Sequence, residues 1–313
     1  MLKSIRRALI LSVITLTTVT AGHAFAEPLK VVASFSIIGD FAKNVGGDRV
    51  DVTTLVGPDG DAHVYEPSPA DAVSMASAKL VLVNGLHFEG FLQRLVEASA
   101  SKAAIVELTK GITPIDFKPE FAEAEAAEGG HEGHNHGSTD PHAFQSVVNA
   151  KVYVKNIADA FCNADSAGCD TYKANATAYT DKLDALDKEV REAIAAIPQE
   201  KRVVITSHDA FGYFEHEYGL TFLAPQGLST ESEPSAADVA KLVEQVKQDK
   251  AAAIFVENIT NPRLIEQISV ETGIKVGGTL YSDALSKADG PAPTYIDLMR
   301  NNIKQIKGAI LGS

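Results

Sequence analysis

The chain has 313 residues, 45% of them apolar and 22% charged, with a formal net charge of −13. That is globular composition, enough for one large core or two smaller ones. The acidity argues against a nucleic-acid partner, whose phosphates demand basic patches, and is compatible with attracting cations.

Residues 1–26 read as a secretory signal peptide. Lys3, Arg6 and Arg7 form its basic region, Ala8 to Thr20 is a largely apolar run too short to span a bilayer, and Ala24-Phe25-Ala26 is a small-residue cleavage signal. The expected compartment is the periplasm. No cysteine follows the cleavage point, so no lipid anchor is expected there.

The chain then alternates strand and helix. Leu29 to Phe35 is a continuous apolar run that suits a buried parallel strand. Ser36 to Val45 reads as a helix ended by Gly46-Gly47, and Val50 to Val56 as a second strand. A loop from Gly57 to Pro67 contains His63. Ser68 caps a helix that runs to about Ala78, with Pro69 at its first position. Leu80 to Val83 is a strand, Glu89 to Ala98 a helix and Ala104 to Leu108 a strand. This order predicts a parallel sheet with helices on both faces.

Residues 122–140 are rich in Ala, Glu, Gly and His and have no apolar period. They read as a mobile loop of a length that is usually functional or disordered. It carries His131, His134 and His136, with His142 just beyond. Imidazole is the commonest protein ligand for zinc-like metals, so a metal site is one reading; a solvated run without a specific role is the other.

Order resumes at Pro141, where Phe144, Val147, Val148, Val152, Ile157 and Phe161 fall roughly on one helical face. Cys162 and Cys169 are the only cysteines. In an exported protein they read as one local disulfide, worth about 2–3 kcal/mol in the chain-entropy model; a two-cysteine zinc site is the alternative. Tyr172, Ala176, Tyr179, Leu183, Leu186, Val190, Ile194 and Ile197 then recur at steps of three and four, and Pro198 ends the run. That is about seven turns, roughly 40 Å. A helix of this length reads as a rigid connector between two lobes, with a packing helix inside one domain as the alternative.

The alternation restarts after it. Strands are expected at Arg202 to Thr206, Leu220 to Ala224, Ala252 to Val256 and Ile274 to Gly277. Helices are expected at Asp209 to Tyr218, Ser235 to Gln248, Pro262 to Thr272 and Thr294 to Ala309. The fold class is therefore α/β, with two lobes, each a mainly parallel sheet flanked by helices, joined by one long helix. The division is signal peptide 1–26, first lobe 27–165, connector 166–198 and second lobe 199–313.

Ligands of open α/β sheets bind outside the carboxyl ends of the strands. His63, His142, His208 and Asp283 occupy positions that can face the interlobe cleft. Three imidazoles and one carboxylate make a tetrahedral set for zinc. Asp289, in the same loop as Asp283, is a competing carboxylate. His87 could line the cleft, and His216 is expected to be exposed on a helix. Glu66, Glu231, Glu233 and Glu257 could each fix the tautomer of a ligating imidazole.

Four segments carry a resemblance: GPDGDAHVYEPSP (57–69), DPHAF (140–144), TSHDAFGYFEHEYGL (206–220) and YSDALS with TYIDLMRNN (281–286 and 294–302). As an ordered set the sequence resembles the cluster A-I solute-binding proteins of bacterial ABC transporters, and among them the zinc-specific, ZnuA-like branch. The resemblance implies metal ligation by His63, His142, His208 and Asp283, and two α/β lobes on one long helix. It departs after the second histidine, where the family often has Trp-Leu and this chain has Phe144-Gln145. Manganese and iron members usually place a carboxylate at the third position, here His208, and imidazole suits zinc.

The implied function is a periplasmic receptor, not an enzyme, that captures Zn2+ and delivers it to an ABC permease with its ATPase. It is expected to work as a monomer, with a periplasmic metal donor as a further candidate partner. The competing readings are a manganese or iron receptor of the same family, a periplasmic zinc buffer or chaperone centred on the loop, and a zinc hydrolase with an open coordination position.

Overall fold

A computed structural model describes residues 27–116 and 139–312. The expected signal peptide and the loop histidines His131, His134 and His136 lie outside the described residues.

Runs of Val, Leu and Ile at the expected places form two four-stranded parallel sheets. The first contains β1 (Leu29–Phe35), β2 (Val50–Val56), β3 (Leu80–Val83) and β4 (Ala104–Glu107), in the order β2-β1-β3-β4. The second contains β5 (Val203–Ile205), β6 (Thr221–Leu223), β7 (Ala253–Glu257) and β8 (Val276–Leu280), in the order β6-β5-β7-β8. Every pairing is parallel, so each connection crosses over, mostly through a helix. The first sheet carries α1 (Ser36–Gly46), α2 (Pro69–Ser77) and α3 (Leu92–Ser99); the second carries α6 (Gly212–Tyr218), α7 (Ala236–Asp249), α8 (Arg263–Thr272) and α9 (Tyr295–Leu311). Between them in sequence lie α4 (Val147–Ala164) and α5 (Cys169–Ala195).

The 27 residues of α5 span about 40 Å and pack on α1 and α4 from one side of the chain and on α9 and α6 from the other. Its buried stripe is Tyr172, Tyr179, Leu183, Leu186, Val190 and Ile194, the period read from the sequence. One continuous apolar core runs from the first sheet through α1, α4, α5 and α9 to Phe255 and Leu280 of the second. A separate, smaller core lies under α7 and α8, around Ile205, Leu242, Ile254 and Ile268. Cys162 and Cys169 are joined in a disulfide that closes the corner between α4 and α5. Among the described residues no helix is long and apolar enough to cross a membrane.

Several elements differ from the sequence reading. The buried face of α4 holds Val147, Ile157 and Phe161 as expected and adds Ala150, Tyr153 and Val154, whereas Val148 and Val152 are only half-buried. The reason is that α4 packs against both α1 and α5, so its apolar stripe is wider than one row. The helix expected from Glu89 starts at Leu92, because Glu89 folds its carboxylate back onto the preceding turn. The last strand is displaced from the expected Ile274 to Gly277 to Val276–Leu280 and runs through Gly277 and Gly278.

Candidate metal centre

The four polar residues singled out for the interlobe cleft converge. His63 lies in the loop after β2, His142 precedes α4, His208 follows β5 and Asp283 follows β8. One donor atom from each lies within 4.8 Å of the others. His63 Nε2 and His208 Nε2 each stand 3.1 Å from Asp283 Oδ2. His142 Nε2 stands 3.3 Å from His63 Nε2 and 3.7 Å from Asp283 Oδ1. A tetrahedron with metal–ligand bonds near 2.0–2.1 Å has edges of about 3.3 Å. The four separations of 3.1–3.7 Å lie near that edge length. Asp289 does not join it, so the carboxylate of the set is Asp283.

The local sequence explains how each side chain is aimed. Asp61-Ala62-His63 and Asp140-Pro141-His142 are both Asp-x-His turns. In each, the aspartate Oδ1 accepts the main-chain N–H of the histidine two residues on, at 2.9 and 2.8 Å. Asp140 Oδ1 also faces His142 Nδ1 at 2.8 Å. Glu257, at the end of β7, accepts the N–H groups of Ser207 and His208 on Oε1 and sets Oε2 2.6 Å from His208 Nδ1. A carboxylate facing Nδ1 favours a proton on that nitrogen, and with the proton there the inward Nε2 of His142 and of His208 is free to ligate a metal.

The Asp283 loop is stitched to both halves of the fold. Asn302 of α9 accepts from Tyr281 N–H and donates to its carbonyl. Gln145, the departure from the family pattern, donates to Ser282 O at 2.5 Å from the opposite lobe. Leu285 N–H donates to Ser36 Oγ and Asp59 N–H to Leu285 O.

The centre is buried: the side chains of His142, His208 and Asp283 are fully enclosed, and that of His63 is 5% exposed. Phe88 packs its ring 4.9 Å from His63 and 5.7 Å from His142, with Phe144 and Phe35 behind it. In this apolar shell burial pulls the His208 imidazole down, but the charges of Glu257 and Asp283 override it and hold it well above its ordinary range. Burial likewise raises Asp283, but the neighbouring His142 and His208, with hydrogen bonds from His208 and His63, hold its carboxyl well below the usual range. Asp209 is pushed up to about 7 by burial, with Asp140 next. Asp283 Oδ1 is buried and finds no hydrogen-bond donor among the described residues. An orphaned carboxylate oxygen beside three inward imidazole nitrogens is the donor chemistry of a cation site.

Of the four glutamates considered from sequence, only Glu257 touches a ring of the set; Glu66 is exposed, and Glu231 and Glu233 line small cavities beside it. Asp140 escaped the sequence reading, although its place two residues before His142 repeats that of Asp61 before His63. His87 is exposed at the mouth of the site, and His216 is exposed on α6.

Comparison with known proteins bears on the same ground. Residues 31–309 match the family model described as "Zinc-uptake complex component A periplasmic". The chain is 34% identical over 281 residues to the iron-binding protein YfeA of Yersinia pestis, covering 90% of this chain and 86% of that one. Its fold matches the manganese-bound periplasmic metal binding protein of Candidatus Liberibacter asiaticus, with TM-score 0.77, 33% identity, and coverage of 90% and 98%. It also matches the periplasmic zinc binding protein TroA of Treponema pallidum, with TM-score 0.80, 30% identity, and coverage of 91% and 99%. The chain belongs to the zinc-uptake complex component A family of extracytoplasmic metal-binding receptors, which are substrate-binding proteins and not enzymes.

Proposed function

We propose that the chain captures Zn2+ on His63, His142, His208 and Asp283 and delivers it to the permease of an ABC transporter driven by its ATPase. The observation that carries this is the convergence of three imidazoles on one carboxylate, two of the rings backed by Asp140 and Glu257. Three nitrogens and one carboxylate suit zinc better than manganese, which prefers oxygen donors. Hydrated zinc exchanges its waters for the four donors, and the rings give up any proton they carry, so affinity falls as the pH drops. Burial in an aromatic shell then shields the bound ion from bulk water.

A manganese or iron receptor is the second reading, favoured by the names of YfeA and of the manganese-bound relative. Metal content together with zinc–manganese competition separates the two. Zinc is expected to displace manganese in the unmodified protein, and His208→Ala to erase that preference. Manganese winning in the unmodified protein would refute the zinc assignment. The histidines 131, 134 and 136 are proposed as accessory, weaker zinc sites. Deleting residues 122–138 should leave one tight site intact, and loss of that site would favour the buffer reading instead.

A further inference from the structure

Above His63 lies a cavity of about 80 Å³. His63 alone of the four donors lines it, and Leu86, His87 and Phe88 form one wall and Ser229 and Glu231 the other. The first wall belongs to the turn after β3 and the second to the loop after β6, so the cavity opens between the two sheets. His87 and Glu231 are both exposed. Among the described residues they are the cavity's only imidazole besides His63 and its only carboxylate.

Both walls are built rather than slack. Gly85, Leu86 and His87 all have left-handed backbone, with φ of 86°, 53° and 63°. Two consecutive non-glycine residues in that region cost on the order of 1–3 kcal/mol each, and such strain persists only where surroundings enforce it. Here Glu89, itself buried, enforces it. Its Oε1 accepts Asn84 N–H at 2.6 Å and Ser34 Oγ–H at 2.7 Å, and its Oε2 accepts Gly85 N–H at 3.3 Å. The turn drives Phe88 inward against His63 and leaves His87 at the rim. Across the cavity, Thr230 Oγ donates to Asp61 Oδ2 at 2.6 Å, while Asp61 Oδ1 accepts the N–H of His63. The wall that bears Glu231 is therefore tied through one carboxylate to the residue at the cavity floor.

We propose that His87 and Glu231 are the first acceptor of the metal ion, a transient two-donor station at the mouth of this cavity through which the ion reaches and leaves His63. This deepens the metal-receptor reading and rests on it. Two exposed donors do not compete at equilibrium with four buried ones, so the station does not alter where the ion resides. It offers an anionic oxygen and an imidazole nitrogen while the ion still holds most of its waters, which lowers the barrier to stepwise dehydration. A station on the route is crossed in both directions, so its loss slows capture and release by the same factor.

The test is stopped-flow exchange of Zn2+, at one equivalent or less, between the protein and a chromogenic chelator. The unmodified protein is compared with His87→Gln, Glu231→Gln and the double variant. The association and dissociation rates are expected to fall together, by about threefold to tenfold, with the equilibrium affinity unchanged. Retained affinity also reports that the variants are folded. Unchanged rates would overturn the proposal and leave the strained turn to Phe88 alone. A raised dissociation rate with lost affinity would overturn it too, making His87 a permanent part of the centre. If the unmodified protein failed to bind zinc tightly, the zinc assignment itself would fall before any variant was measured.

Discussion

His142 and His208 differ from His63 in what stands behind the ring. The first two are enclosed and back onto carboxylates, Asp140 at 2.8 Å and Glu257 at 2.6 Å. His63 is positioned through its main chain, by Asp61, and lines the cavity that opens outward. One pair of rings is built into the protein, and the third stands at its door. Carboxylate-backed rings in low dielectric favour tight binding, while a ring at the cavity floor would be the first of the four donors to meet an ion passing from the rim. On the proposed route the centre divides affinity from exchange among chemically identical side chains.

Breaking a backed ring should separate the two classes most. Any one ligand removed from four should weaken zinc by about a hundredfold to a thousandfold, if the total binding energy is shared roughly equally. His208→Ala should in addition destabilise the metal-free protein by about 3 kcal/mol, because it leaves the buried Oε2 of Glu257 without the imidazole it faces and takes from Asp283 one of the two imidazoles that stand 3.1 Å away. His63→Ala should leave metal-free stability nearly unchanged, since Asp283 keeps His208. Zinc titration together with urea unfolding in a chelator measures both; equal destabilisation by the two variants would dissolve the distinction.

Removing the backing while keeping the ring should have a smaller effect. Asp140→Asn and Glu257→Gln should each lower zinc affinity about 10- to 100-fold. Gly212→Ala should act on one ring only. A Cβ there would collide with Asp140 Oδ2, so its deficit in the same titration should resemble a mild Asp140→Asn. An affinity unaffected by Glu257→Gln would mean that the His208 ring is held by packing alone.

The smallest expected effect lies at the far pole, where Arg49 and Tyr172 donate to Asp165 beside the disulfide. Hydrogen bonds from Arg49, then Tyr172, hold the Asp165 carboxyl below its ordinary range. A depressed carboxyl stabilises the fold above its unfolded-state value and loses that contribution as the pH falls through its folded-state value. Arg49→Gln should therefore lower the thermal midpoint slightly at neutral pH. The difference should fade in acid as Asp165 takes up its proton, with zinc affinity unchanged throughout. A gap that persists in acid would assign Arg49 a packing role on Tyr172 instead.

The strands were legible because parallel strands buried on both faces read as unbroken apolar runs, as β1 and β3 do. The four donors were legible because each interrupts such a pattern just beyond a strand or where order resumes. What lay behind them was harder to read. Glu257 was one of four glutamates with equal claim, and only the pairing of β7 beside β5 brings it under His208. The Asp-x-His turns at Asp61 and Asp140 were present in the sequence as a repeated spacing, but an aspartate two residues before a histidine is common. Glu89 was misread as a helix start, since a helix and a braced turn share its local composition. Gln145 looked like a weakened motif, and its amide is instead one of the bonds across the lobes.

Those bonds bear on how a cargo could be surrendered. The loop that carries Asp283 is sewn to the side that bears His63 and His142 by Gln145, Ser36 and Asp59, and α5 packs on helices of both halves. Prising the halves apart would break all of these at once. A receiving protein with its own donors gains more by relay, taking one coordination position at a time from the accessible side. On that scheme the receptor resembles a chelator handing over between ligand sets rather than a jaw that opens, and delivery is governed by the order in which donors let go.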